Sequence, residues 1–185
     1  QLRQEFNLHT NIRPCKAYPG NPLNFKEGID LVVFRENTEG MYGGVEFHPI
    51  PREVYQVLNT QHPKMKKFEP YGLENLALST RIMSRQMCEN IVRRAFNFAK
   101  TYQRKSVTVV DKPNVLRETG GLMLRTARKV AEEFPDIPLY ETNIDAQAMW
   151  LLKNPYDYDI LVAENMFGDI LSDLAAQLVG GLGFA

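Results

Sequence analysis

The sequence predicts an α/β fold in which helices flank a mixed or largely parallel sheet. Three observations carry this. Short apolar, β-branched runs recur at residues 30–34, 105–110 and 158–163. Between them lie longer stretches, 84–102 and 116–134, whose apolar residues return at helical spacing. Clusters of Pro, Gly, Asn and Asp separate the two kinds of segment. Strands alternating with helices imply βαβ units and a parallel or mixed sheet. A chain of 185 residues is long enough to bury a sizeable core.

Taken in order, residues 11–18 form a short strand, which Pro14 confines to an edge or an end. Pro19-Gly20-Asn21-Pro22 is a turn. Residues 30–34, DLVVF, read as a buried strand that delivers Arg35-Glu36-Asn37-Thr38-Glu39-Gly40 at its carboxyl end. In open α/β sheets ligands sit beyond the carboxyl ends of strands, so this polar cluster is well placed for a site. Residues 41–47 resume as a second strand.

Residues 48–75 break the pattern with Pro49, Pro51, Pro63, Pro70 and the basic knot Lys64-Met65-Lys66-Lys67. They read as an excursion, either a solvated loop or an arm that packs on a partner. A strand follows at 76–83. Ser84 is an N-cap for a helix to 102, with Met87, Ile91, Ala95, Phe98 and Tyr102 as its buried stripe. The strand at 105–110 ends at Asp111-Lys112-Pro113-Asn114, and a helix covers 116–134. A strand at 137–142, a helix at 145–152 and a strand at 158–163 lead to a last helix from Asn165, which Gly180, Gly181 and Gly183 end.

Composition excludes several function classes. Lys plus Arg equals Asp plus Glu at 22 each, so no whole-chain charge draws the protein to nucleic acid or to anionic membrane. No apolar run approaches a membrane span, and the first residues carry charges where a signal peptide needs an apolar core. Cys15 and Cys88 read as buried, reduced thiols of a cytosol-like compartment. His9, His48 and His62 show no metal-ligand spacing.

The chemistry concentrates in NMFGDILSDLAAQLVGGLG, residues 165–183. Asp169 and Asp173 stand four apart in a helix, so both carboxylates share one face. A solvated acidic face and a site for a hard divalent cation are both open readings of that pair alone. Gly168, just before it, lets a backbone or ligand approach closely. Successive strand ends add Lys112 and Asp145, and the first strand adds Arg35 and Tyr42. Acids, a lysine, a tyrosine and an arginine beyond strand ends suit metal-assisted chemistry on an anionic substrate. There is no defensible Ser-His-Asp or Cys-His set, no GxGxxG after a strand and no Walker loop.

These segments resemble the β-decarboxylating dehydrogenases of the isocitrate/isopropylmalate dehydrogenase family. NMFGDILSDLAAQLVGGLG is similar to that family's signature stretch. In LRQEFNLHTNIRP, Arg3 and Arg13 sit like two of its substrate-carboxylate arginines. FRENTEGMYGG resembles the segment that supplies the third, Arg35, and the catalytic tyrosine, Tyr42. VVDKPNV matches the catalytic lysine at Lys112 and sets Asn114 near the nicotinamide. NIDAQAM matches a metal-site aspartate at Asp145. The resemblance covers essentially the whole chain, and its motifs keep their order.

The resemblance implies the family's mixed sheet with a dimer-clasp arm, not a Rossmann fold. It implies Mg2+ or Mn2+ held by Asp169 and Asp173 with Asp145 of the partner subunit, and NAD or NADP as hydride acceptor. Lys112 would take the proton of the substrate hydroxyl, and Tyr42 would protonate the enolate left after decarboxylation. It also implies a homodimer or higher oligomer with shared sites, inactive as an isolated monomer, in the cytoplasm, or in the mitochondrial matrix if the source is a eukaryote. Residues 1–8 would be a remnant of the large domain, 9–44 and 81–185 the two parts of the small domain, and 45–80 the clasp. Family members are longer at both ends, so the chain resembles their central part and by itself would not hold the cofactor productively. Within the family RENTEG favours isocitrate as substrate. Homoisocitrate, 3-isopropylmalate and tartrate or malate are the alternatives, and a non-catalytic regulatory subunit or a dimerisation fragment is the alternative of another class.

Overall fold

The computed structural model describes residues 2–6 and 8–184, apart from the side chains of Arg3, Gln4 and Phe184. After a helical turn at Leu2–Glu5 (α1), strands β1 (Thr10–Lys16), β2 (Asp30–Glu36), β5 (Val107–Asp111), β6 (Leu139–Asn143) and β7 (Ile160–Ala163) form one sheet. Its order is β1-β2-β7-β5-β6. β1 runs antiparallel to β2 at the edge, as Pro14 demands, and all other pairs are parallel. The carboxyl ends of β2, β7, β5 and β6 therefore open on the same side.

Alternation along the strands divides the core in two. Val32 and Phe34 of β2, Val107 and Val109 of β5, and Ile160 and Val162 of β7 face one layer. That layer is α3 (Arg85–Thr101) and α4 (Thr119–Ala131). Leu31 and Val33 of β2, Val110 of β5, and Leu161 and Ala163 of β7 face the other. That layer includes α5 (Ile144–Lys153) and α6 (Asn165–Leu178). Strands buried on both faces are what continuous apolar runs such as DLVVF and ILVA require.

Ser84 caps α3 by accepting the Met87 N–H at 3.1 Å. The apolar stripe of α3 is Cys88, Ile91, Val92, Ala95, Phe96 and Ala99. Tyr102, expected in that stripe, is 63 % exposed and lies one residue past the helix end at Thr101. α4 begins at Thr119, three residues later than the spacing predicts. The residues before it turn instead, with the Val115 and Leu116 N–H groups both on the Lys112 carbonyl.

Two expected strands are corrected. Residues 41–47 open with a 3₁₀ turn at Met41–Gly43 and contribute only β3 (Glu46–Phe47). Residues 76–83 contribute only β4 (Leu78–Ser79), plus a bridge between Gly40 and Ile82. β3 and β4 pair antiparallel and form the neck of the excursion. Beyond the neck lie α2 (Arg52–Gln61) and 3₁₀ turns at Pro63–Tyr71 and Leu73–Asn75. The four prolines limit this segment to short helical pieces and turns. Among the described residues no helix is long and apolar enough to cross a membrane.

Candidate active site

The last helix starts directly from the sheet. Glu164, between β7 and α6, caps the helix by accepting the Phe167 N–H at 2.9 Å and the Met166 N–H at 3.2 Å. α6 then crosses the end of β2 so closely that a Cβ on Gly168 would lie 2.8 Å from Cβ and Cγ of Arg35. Glycine at 168 is thus a matter of helix-on-strand contact.

That approach assembles the first cluster. Arg35, nearly buried, donates through Nε and Nη2 to Asn165 Oδ1 at 3.0 and 2.7 Å. Its Nη1 pairs with Asp169. Arg13, on the neighbouring β1, donates through Nη1 to Ser172 Oγ at 2.7 Å and to Asp173 Oδ1 at 2.8 Å. Its Nη2 lies 3.7 Å from Asp169 Oδ1. Tyr42 reaches in from the 3₁₀ turn and donates to Asp169 Oδ2 at 2.6 Å. Its guanidinium neighbour Arg35 stands 5.2 Å from the centroid of the Tyr42 ring. The hydrogen bond to Asp169, then burial and the Asp169 charge, push the Tyr42 phenol above its ordinary value. The phenol accordingly keeps its proton at neutral pH.

The second cluster sits at the ends of β5 and β6. Lys112 Nζ is 2.6 Å from Asp145 Oδ2, in the first turn of α5. Lys112 donating to it holds the Asp145 carboxyl below its ordinary value. Asn114 follows Lys112 on the same turn and is exposed. The side chain of Arg3 lies outside the described residues.

Of the residues singled out in the sequence, Arg13, Arg35, Tyr42, Asp169 and Asp173 come together, and Lys112 and Asp145 form a separate pair. Among the described residues no three acidic, His or Cys side chains of this chain gather into a metal site. The donors that do gather, Asp169 and Asp173, are hard oxygen ligands on one helical face. In this chain arginines neutralise them, so the pair fits a divalent cation as part of a shell and not as a whole one. A cleft of about 620 Å³ lies at the opposite, amino ends of the strands. Its guanidinium, Arg104, is committed to Asp30 and Asp159.

Several contributors escaped the sequence reading. Asn165 orients Arg35, and Ser172 holds Arg13. Glu36 folds the RENTEG turn onto itself by accepting the N–H groups of Thr38 and Glu39, both at 2.8 Å. Glu39 accepts the Ser84 N–H at 2.6 Å and so ties that turn to α3. Only Glu164 carried a local signal, an acid directly before a helix start.

Fold and site together define a class: α/β proteins that set arginines, a tyrosine and paired aspartates at the carboxyl side of a largely parallel sheet. Comparison with known proteins gives the family. The model of the isocitrate/isopropylmalate dehydrogenase family matches residues 1–185, and the chain belongs to that family. It is 40 % identical over 182 residues to the mitochondrial isocitrate dehydrogenase [NAD] catalytic subunit 5 of Arabidopsis thaliana, covering 98 % of this chain and 42 % of that protein. It is also 40 % identical over 185 residues to the 3-isopropylmalate dehydrogenase of Archaeoglobus fulgidus, covering 100 % of this chain and 49 % of that one. The crystal structure of isocitrate dehydrogenase from Methylococcus capsulatus superposes with a TM-score of 0.83 at 39 % identity, covering 98 % of this chain and 48 % of that one. The chain thus spans less than half the length of these relatives.

Proposed function

We propose that the protein containing this chain catalyses the metal-dependent oxidative decarboxylation of a 2-hydroxy acid with a carboxylate on C3, with isocitrate, yielding 2-oxoglutarate, as the first candidate. The observation that carries this reading is the convergence of Arg13, Arg35 and Tyr42 on Asp169 and Asp173. Guanidinium forks suit the carboxylates of such a substrate. In the chain alone the same forks neutralise the aspartates. With substrate and cation present, the arginines would face the substrate carboxylates and the aspartates would be available as cation ligands.

Asp169 and Asp173, with Asp145 of the partner subunit, would hold Mg2+ or Mn2+, which would polarise the substrate hydroxyl and stabilise the negative charge that develops on decarboxylation. NAD or NADP, with Asn114 beside its nicotinamide, would accept the hydride from C2. Lys112, released from Asp145 once that carboxylate is a ligand, removes the hydroxyl proton. Tyr42, whose phenol stays protonated, delivers a proton to the carbon that loses carbon dioxide. Lys112 and Asp145 are assigned to the neighbour's site as the family resemblance implies, and in this chain they pair with each other. Residues 45–80 are assigned as the clasp that joins the two subunits.

The test is formation of NADH or NADPH by the full-length protein, with magnesium or manganese. Isocitrate, homoisocitrate, 3-isopropylmalate, malate and tartrate are assayed in parallel. Metal-dependent turnover of isocitrate well above the others supports the whole reading. Turnover of another acid keeps the mechanism and replaces the substrate. No turnover by a folded dimer that binds manganese overturns the enzyme reading in favour of a regulatory subunit. Lys112→Met separates the same two classes, since an enzyme loses nearly all turnover and a regulatory subunit still activates its partner.

A further inference from the structure

Arg81 stands where the excursion rejoins the domain, two residues after β4, and its side chain is only 8 % exposed. On one side it meets Asp111, which is fully buried, with Nη2 at 2.9 Å from Oδ2 and Nη1 at 3.3 Å from Oδ1. Nη1 also donates to Thr119 Oγ1 at 3.0 Å, at the start of α4. Asp111 Oδ1 in turn accepts the Lys112 N–H at 2.7 Å. On the other side Nη2 lies 3.7 Å from Oε1 of Glu164, the buried cap of α6. The guanidinium carbon is 5.1 Å from the centroid of the Phe167 ring, in the first turn of the same helix.

One cation therefore stands between two buried carboxylates. The first precedes Lys112 in the chain, and the second opens the helix that carries Asp169 and Asp173. Burial raises the Glu164 carboxyl above its ordinary value and Arg81 works against that rise. The fit around Glu164 is close, since a Cβ on Gly40 would lie 2.7 Å from Glu164 Oε2. A planar fork can serve Asp111 with two nitrogens and still face Glu164, and a lysine ammonium cannot.

We infer that Arg81 is a positioning residue, which locks the Lys112 turn and the head of the Asp169/Asp173 helix to each other so that one guanidinium sets both halves of the catalytic apparatus. The inference rests on the roles proposed above for Lys112 and Asp169. Small misplacements of reacting groups cost rate steeply, so the effect belongs in kcat.

The experiment compares full-length wild type with Arg81→Lys and with the double variant Arg81→Met/Asp111→Asn, in which the buried pair is replaced by neutral groups. It has two readouts. The first is steady-state turnover of the acid that wild type prefers. The second needs no substrate: competitive acetylation of lysines, read by mass spectrometry, reports how Lys112 is held. Both variants are expected to lose at least tenfold in kcat, with KM within about threefold of wild type, in line with a transition-state misplacement. Lys112 is expected to acetylate at least threefold faster, while Lys16 and Lys26, elsewhere on the chain, keep their wild-type rates. A folded variant with wild-type kcat and wild-type Lys112 labelling overturns the inference. So does a uniform rise in the labelling of every lysine with a fallen melting temperature, which marks a general structural role. If Arg81→Lys fails to fold, the charge-neutral double variant decides alone, and its failure to fold counts against the inference. If wild type turns over none of the acids, the proposed function falls, and Lys112 labelling still decides whether Arg81 holds that turn.

Discussion

Gly168→Ala should destabilise the protein and damage its site, against the ordinary expectation for a glycine inside a helix. Helix propensity alone favours alanine by about 1 kcal/mol. The structure opposes this. The new methyl would sit 2.8 Å from both Cβ and Cγ of Arg35 and 3.1 Å from its Cα, where carbon atoms prefer about 3.5–4.0 Å. The neighbour has little room to yield. Arg35 is in β2, between two hydrogen-bonded strands, and its guanidinium is held by Asn165 and Asp169. α6 must then lift off the sheet by several tenths of an ångström, and Asp169 moves with it. Overpacking of this kind costs about 1–3 kcal/mol, which leaves a net loss of up to about 2 kcal/mol after the propensity gain.

Gly121→Ala in α4 is the control. There the new Cβ meets only the tip of Arg125, at 2.8 Å from Nη1. That side chain can swing into solvent, so this variant should gain a few tenths up to about 1 kcal/mol. Denaturant unfolding of both variants, followed by circular dichroism, measures the two signs. Turnover of the Gly168→Ala full-length protein should fall at least tenfold. The reasoning is refuted if Gly168→Ala stabilises as Gly121→Ala does and stays fully active.

Three further outcomes can be measured directly. Ser84→Ala removes the oxygen that caps α3 and should cost about 1 kcal/mol in the same unfolding assay; no change would mean that the Glu39 contact to the Ser84 N–H carries that end by itself. Tyr42→Phe should lower kcat by about 10²–10⁴ if the phenol is the proton donor, with unfolding stability nearly unchanged because Tyr42 is 51 % exposed; an equal loss in stability and rate would argue against that role. Burial pushes the Cys15 thiol up to about 11 and Cys88 up to about 12. At pH 8 neither should react with iodoacetamide until the protein is unfolded. Above their ordinary value of 9.0 the unfolded thiols lose protons that the native ones keep, so these two groups make stability fall as pH rises from there towards 11. A denaturation midpoint that stays flat across this range would refute the sign.

The alternation and spacing of apolar residues made the architecture legible. DLVVF, ILVA and the β-branched run before Asp111 read as strands, and Ser84 and Pro14 marked a helix start and an edge. Helix spacing alone placed Asp169 and Asp173 on one face. Such features are local: they depend on backbone periodicity and on the chemistry of single residues, and any stretch of the chain displays them. Residues 41–47 and 76–83 were read as strands too long for the same reason: only Glu46–Phe47 and Leu78–Ser79 pair, and residue type alone does not show how far a pairing extends.

Strand order was decided only by the tertiary structure, and with it the site. β7 inserts between β2 and β5, which carries α6 across the end of β2 and brings Asp169 to Arg35, more than a hundred residues away in sequence. The same insertion leaves Lys112 with Asp145 at the other strand ends. The Arg81 cluster is the extreme case. Its members come from four separate segments and show no common spacing, and burial turns them into one unit because charges taken out of water must find each other. The amino-acid sequence by itself determined which groups the protein can bring to a reaction. Long-range packing determined which of them meet.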